Sequence, residues 1–298
     1  MNVLNILTKL YSTLHKYYGM PYWMFTPFRK IVRNAANKIL PEYMSKSTNR
    51  VKNRHRGLIV SFTSFPARIN NVWQVVECML RQTYQPDKII LWLSKEQFKT
   101  PESIPQSLRD REGVIFEIRM VEGDIRSHKK YYYVSKEYPE ALIFLIDDDI
   151  YYPTDILERT IMAHEKHPDC VICNYGYLIG RDAEGKLLPY NSWQHVYKHC
   201  TSKGLFFGSG GGTLFRPSEL YKDLTNIELA CHLCPIADDI WLNAMVKLAG
   251  KSLCILRNGL ILPVYSKDDS KLASENMGEG KNDLQIKAVM DYYKTNIF

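Results

Sequence analysis

Ala141-Leu-Ile-Phe-Leu-Ile146 followed by Asp147, Asp148 and Asp149 is the stretch on which the reading turns. Six consecutive apolar residues read as a buried strand. Three carboxylates at its end repel one another unless a cation sits among them. In an extended chain, residues two apart project to the same side. Asp147 and Asp149 are therefore expected to share one divalent ion. Oxygen-only donors favour Mg²⁺ or Mn²⁺ over zinc. The competing reading is a solvated loop at a strand end.

Upstream, strands and helices alternate. Gly57 to Phe62 reads as a strand, Thr63 to Arg68 as a turn and Val72 to Gln82 as an amphipathic helix. Lys88 to Leu93 and Val114 to Val121 read as further strands, and Tyr131 to Tyr138 as a helix. The alternation predicts an α/β fold, a mostly parallel sheet flanked by helices. Ligands of such sheets bind at the C-terminal strand ends. Thr63, the 124–130 segment and Asp147–Asp149 all follow strands, so they are expected to converge. The second half is less regular. Cys170 to Gly176, Lys251 to Leu256 and Leu260 to Val264 are strand candidates, and Leu284 to Tyr293 is a helix.

The 298 residues suffice for one large α/β domain. Hydrophobic residues make up 45% and charged residues 24%, an ordinary globular composition. No apolar run approaches the roughly 18 residues that a membrane-spanning helix needs, and the N-terminus does not read as a secretory signal. Eleven of the 39 Lys and Arg, but one of the 32 acids, lie in residues 1–56, so this segment carries +10 and the rest −3. The body is thus not basic, which argues against a nucleic-acid enzyme. The chain divides into a basic, aromatic, amphipathic helical segment with a linker (1–56) and a body (57–298). Within residues 1–45, Tyr17, Tyr18, Tyr22, Trp23, Phe25 and Phe28 are interleaved with Lys16, Arg29, Lys30 and Arg33. That mixture suits a membrane interface; packing on the body or on a second copy of the chain is the alternative. Seven cysteines without a framework imply a reducing compartment. Cys170/Cys173 with Cys231/Cys234, or His195, His199 and Cys200, are minor zinc candidates.

Other segments supply chemistry around the aspartates. Arg126, Lys129 and Lys130 precede the acidic strand, and Lys130 is the first choice as a nucleotide or phosphate contact. The hydroxyl-rich turn Ser61 to Arg68 offers Thr63 and Arg68 to a nucleotide. Asp148 completes the acidic set. Gly210 and Gly211, in the run Gly208-Ser-Gly-Gly-Gly212, let a backbone approach a ligand closely. Asp238 and Asp239 open the helix at Ile240. One Asp would suffice as a cap, so Asp239, with Asp238 second, is expected to take a proton from an acceptor hydroxyl. Lys281-Asn-Asp283, after Ser274, Gly278 and Gly280, suggests a closing loop.

The ordered set Ile59 to Arg68, Asp147-Asp148-Asp149 and Ala237-Asp238-Asp239 resembles the GT-A glycosyltransferases over about residues 57–265. It is most similar to bacterial enzymes building capsular and other surface polysaccharides. The resemblance implies a GT-A (Rossmann-like) sheet with the nucleotide at Thr63 and Arg68. It implies Mn²⁺ or Mg²⁺ on Asp147 and Asp149, and Asp239 as the base of an inverting enzyme. The expected activity is transfer of a hexose, such as galactosyl, from a UDP-linked nucleotide-sugar donor to a lipid-linked glycan acceptor. The expected place is the cytoplasmic face of the membrane, peripherally bound through residues 1–45, with homo-oligomers allowed. Two departures stand out. No histidine follows His232 to complete a metal site, leaving Ser266, Asp268 or water, and the Q-x-x-R-W motif of processive synthases is absent. Two alternatives remain. One is a sugar nucleotidyltransferase, against which the glycine-free loop Thr63 to Arg68 argues. The other is a non-catalytic, membrane-associated binding protein.

Overall fold

The computed structural model describes residues 2–14, 22–46, 57–256, 259–264 and 280–298. Of the linker expected at 46–56, Lys46 ends a helix and residues 47–56 lie outside them, as do Lys16, Tyr17 and Tyr18 and the tail residues Ser266, Asp268, Ser274 and Gly278.

Eleven strands are described: β1 (Leu58–Thr63), β2 (Lys88–Ser94), β3 (Phe116–Val121), β4 (Leu142–Leu145), β5 (Cys170–Cys173), β6 (Gly176–Leu178), β7 (Gln194–His195), β8 (Cys200–Ser202), β9 (Leu205–Phe207), β10 (Thr213–Phe215) and β11 (Ser252–Ile255). Eight form one sheet in the order β3-β2-β1-β4-β10-β5-β11-β8. Strands β1 to β4 run parallel, and β5 is parallel to β11. Strand β10 is antiparallel to β4 and β5, and β8 is antiparallel to β11. A separate antiparallel sheet has the order β7-β6-β9. The expected mixed, mostly parallel sheet flanked by helices is what forms.

The apolar runs are continuous because both faces of the sheet are covered. Leu58, Val60 and Phe62 of β1 enter one buried cluster, while Ile59 enters the other. Strand β4 divides the same way, Leu142 and Phe144 against Ile143 and Leu145. Each such fully buried side chain contributes roughly 1.5–3 kcal/mol. Helices Val72–Leu80 and Ile156–Lys166 cover the first face, and Lys129–Glu137, Asp238–Leu248 and Lys281–Tyr293 the second. Ser61 is the fully buried polar residue of β1. Its hydroxyl accepts from Trp92 Nε1 at 2.9 Å and donates to the Lys130 carbonyl at 2.5 Å, tying β1 to the helix that carries Lys130.

The N-terminal segment forms helices Val3–Thr13 and Thr26–Lys46. Leu4, Ala36, Leu40 and Met44 join the first-face cluster. Asn5 anchors the first helix, accepting from Thr154 N and donating to Thr154 Oγ1, both at 2.8 Å. Arg81 Nη2 donates to the Met44 carbonyl at 2.8 Å. Among the described residues no helix is long and apolar enough to cross a membrane. The expected strand at 260–264 is reduced to a single bridge, Ile150 to Pro263. With Tyr151 N on the Leu262 carbonyl (2.9 Å) and Val264 N on the Asp149 carbonyl (2.7 Å), it pins the backbone just beyond the aspartates.

Candidate active site

The three aspartates leave β4 where the parallel strands end, and each carboxylate meets a different environment. Asp148 is buried, accepting from Ser64 Oγ at 2.5 Å and Arg68 Nη1 at 3.0 Å. The same Arg68 nitrogen lies 2.8 Å from Asp149 Oδ2. Asp147 pairs with Lys130 Nζ at 2.9 Å. Its backbone N–H donates to Tyr152 Oη at 2.8 Å, and that hydroxyl donates to the Gly210 carbonyl. The turn after β1 and the strand end of β4 are thus clamped together by Arg68 and Ser64.

The second acidic pair comes to the same place. Lys130 Nζ lies 2.9 Å from Asp238 Oδ2, so one buried ammonium bridges Asp147 and Asp238. Asp239 accepts from Ser209 N at 2.9 Å and from the Ser209 hydroxyl. The glycine run carries Ser209 between β9 and β10, and close packing explains its glycines. A Cβ on Gly210 would fall 1.6 Å from Asp147 Oδ2, and one on Gly211 would fall 2.2 Å from Tyr175 Cβ. These two positions are filled by Asp147 and Tyr175, not held open as a cradle.

Five carboxylates and two cations therefore meet at one end of the sheet, leaving a negative excess. Burial opposes the charge on Lys130, but Asp147, Asp238 and Asp239 outweigh it and hold the ammonium firmly protonated. Burial likewise opposes Asp238, yet Lys130 and His128 keep its carboxyl below the usual range. Asp148 is pushed up by burial despite Arg68. Asp239 is pushed up to about 7, by burial first and by the Asp238 charge second. It stands poised between protonated and ionised states near neutrality.

An aromatic wall adjoins Asp239. Tyr175 and Tyr177 share a hydrogen bond between their hydroxyls at 2.8 Å. The His195 ring packs on Tyr175 at 4.6 Å and stacks on Tyr197 at 4.3 Å. Gly208 separates Tyr175 from Asp239, its Cβ position lying 2.9 Å from the Tyr175 ring and 3.8 Å from Asp239 Oδ2. The Tyr177 hydroxyl is pushed up to about 12, by burial and with the Asp239 charge contributing.

Asp147 and Asp149 suit a hard divalent cation in donor type: both are oxygen donors, with side chains 39% and 27% exposed. Among the described residues no three carboxylates lie within 4.8 Å of one another, and Arg68 and Lys130 satisfy them instead. Lys130 and Arg68 were named from the sequence and stand at the centre. Thr63 lies at the end of β1 with its hydroxyl donating to the Trp92 carbonyl at 2.8 Å. Ser64, Ser209 and Tyr152 were missed. Ser64 was part of the hydroxyl-rich turn and Ser209 of the glycine run, but nothing local distinguished them. Neither minor zinc grouping forms. Cys170 and Cys173 contribute to opposite faces of the sheet, and His195 packs among tyrosines.

No protein-family model matches the chain, and no curated protein matches it. Three solved structures are similar in fold. One is a CMP:2-keto-3-deoxy-manno-octonic acid synthetase complexed with CTP, 11% identical, covering 76% of this chain and 100% of that one, with a TM-score of 0.41. Another is the 2-C-methyl-D-erythritol 4-phosphate cytidylyltransferase from Thermus thermophilus, at 12% identity, 76% and 98% coverage and TM-score 0.40. The third is HddC from Yersinia pseudotuberculosis, at 10% identity, 56% and 78% coverage and TM-score 0.37. Likenesses this distant concern the chain trace, and no residue role is taken from them. The expectation of glycosyl transfer is nevertheless corrected here. The synthetase and the cytidylyltransferase are named for the chemistry of the alternative drawn from the sequence, and the hexosyltransferase reading is withdrawn. The physical reason for the error is plain. Paired carboxylates beside cations serve metal-dependent phosphate chemistry in general and do not specify which bond breaks.

Proposed function

We propose that this site performs nucleotidyl transfer to a sugar-class acceptor. The observation that carries the reading is the buried Lys130 shared by Asp147 and Asp238, opposite Arg68 on Asp148 and Asp149. Carboxylates for a hard cation, beside two cations that can turn to phosphate oxygens, suit a nucleoside triphosphate. An acceptor hydroxyl oxygen attacks the α-phosphorus, the bond to the bridging β-phosphate oxygen breaks, and pyrophosphate leaves. Asp239 takes the hydroxyl proton. Asp147 and Asp149 would hold Mg²⁺ or Mn²⁺, which supplies positive charge to the departing pyrophosphate. Arg68 and Lys130 orient and neutralise the remaining phosphate oxygens. Tyr175 and Tyr177 offer ring faces and hydroxyls to a sugar. A hydroxyl rather than a phosphate acceptor follows from Asp239, because a phosphate oxygen brings no proton to remove.

The test is pyrophosphate release from each nucleoside triphosphate with Mg²⁺ or Mn²⁺ and a panel of sugars and sugar phosphates. Turnover of one pair, reduced more than roughly 100-fold in Asp149→Asn, supports the reading. Absence of both turnover and triphosphate binding by calorimetry would sink it.

The N-terminal helices support a location for this activity. On Thr26–Lys46 the buried Ala36, Leu40 and Met44 lie on one side, while Phe28, Ile31 and Ile39 lie on the other at about 100° per residue. With Trp23, Met24, Ile6 and Leu10 also exposed, an apolar surface is set in a segment carrying +10. We propose that it rests on an anionic membrane surface. Co-sedimentation with phosphatidylserine vesicles but not with neutral ones is expected, weakened in Phe28→Ser/Ile31→Ser. Equal binding by that variant would remove this part of the reading.

A further inference from the structure

We propose a second metal site, for zinc, formed by His167, His199 and Cys254 and separate from the carboxylate cluster. Among the described residues this is the one group of three or more His, Cys, Asp or Glu whose ligand atoms all lie within 4.8 Å of one another. Its donors come from three elements at the far edge of the sheet. His167 follows helix Ile156–Lys166 and is half-buried. His199 precedes the edge strand β8 and is exposed. Cys254 is fully buried in β11, on the face that the helix covers. The imidazoles are already close, with ring centroids 5.7 Å apart.

The donor chemistry is the reverse of that at the aspartates. One sulfur and two imidazole nitrogens suit a borderline-soft ion such as Zn²⁺, whereas oxygen-only sets suit Mg²⁺. Zn–S and Zn–N bonds of about 2.3 and 2.1 Å place tetrahedral ligand atoms about 3.5 Å apart. Donor separations within 4.8 Å accommodate that spacing, and the exposed His199 can rotate to meet it. Thr201 is the cross-strand partner of Cys254 in the β8–β11 ladder, placed to serve as the kind of outer partner that supports a metal-bound thiolate. Binding releases the thiol proton to solvent. Three protein ligands leave a fourth position open. The ion would tie edge strand β8 and the end of helix Ile156–Lys166 to β11. Without metal, the same three side chains are a buried thiol beside two packed imidazoles.

The full chain, stripped with a chelator, is titrated with Zn²⁺ alone and, for spectroscopy, with Co²⁺. One ion per chain is expected at this site, with a thiolate-to-cobalt charge-transfer band and a rise in Tm on zinc binding. His199→Ala, at an exposed position, keeps the metal-free Tm. It weakens zinc binding beyond the roughly 10–100-fold that loss of an outer partner costs. Cys254→Ser loses the band, while Asp149→Asn keeps it. Cobalt binding without the band, equal zinc affinity in wild type and His199→Ala, or no bound ion would each overturn the proposal.

Discussion

The two acidic clusters are built from the same residue type, yet the first keeps all three carboxylates within reach of Arg68 and Lys130, while neighbours in the second end in opposite electrostatic states. Asp147, Asp148 and Asp149 lie at a strand end where Arg68 and Lys130 reach them. Asp238 shares Lys130 and is held below the usual carboxylate range. Its neighbour Asp239 takes its hydrogen bonds from Ser209 and rises to about 7. Adjacent positions on one helix turn thus differ because Asp238 is paired directly with the ammonium, whereas Asp239 is raised by burial and by the Asp238 charge beside it. Direct pairing with one buried cation thus decides which of two neighbouring carboxylates stays ionised and which titrates near neutrality.

Removing that cation should break the comparison most severely. Lys130→Met leaves Asp147 and Asp238 without their shared partner, and loss of one member of a buried pair costs about 3–5 kcal/mol. Urea unfolding at neutral pH measures this. A loss under about 1 kcal/mol would mean that the bridge is a surface-like pair of little worth.

Proton linkage gives the next effect. The folded-state pKa of Asp239 lies above the ordinary aspartate value of 3.8, at about 7. The folded state therefore holds this proton more tightly than the unfolded chain does. Its contribution is fully present below about 3.8 and is lost as pH rises to about 7, by at most about 4 kcal/mol. Asp238 has the opposite sign, its contribution being lost as pH falls below the ordinary carboxylate range. In metal-free protein, Asp239→Asn should flatten the decline between about pH 4 and 7 seen in wild type. Parallel pH profiles for the two proteins would show that Asp239 is not the group that titrates.

The smallest effect sharpens the packing that brings the clusters together. Gly210→Ala sets a methyl group against Asp147, where overpacking costs about 1–3 kcal/mol. Gly113→Ala, where a Cβ meets nothing within 4 Å, serves as the control and should change stability little. Equal stability of the two variants, by thermal unfolding, would mean that Asp147 moves aside freely.

Legibility followed sequence locality. Strands β1, β2 and β4 stood out because burial on both faces writes an unbroken apolar run. The helix expected over Tyr131 to Tyr138 formed as Lys129–Glu137. Strand β10 was not legible: three residues after a glycine run carry no period, and its antiparallel insertion between β4 and β5 is settled by neighbours far along the chain. The three-stranded sheet of β6, β7 and β9 escaped for the same reason, and with it the placement of the tyrosines beside Asp239.

By itself the sequence determined an α/β sheet, a carboxylate triplet where a strand ends, and a second acidic pair at a helix start. These rest on local patterns: apolar runs, turn residues and charge density over a few positions. Only the tertiary structure decided which charges meet. Arg68 and Asp148 are 80 residues apart, and Ser64 and Asp148 are 84 apart. Coulomb and desolvation energies depend on distance through space and on burial, neither of which is written in local sequence. The same holds for His167, His199 and Cys254, which become neighbours only when a helix end, an edge strand and β11 are laid side by side.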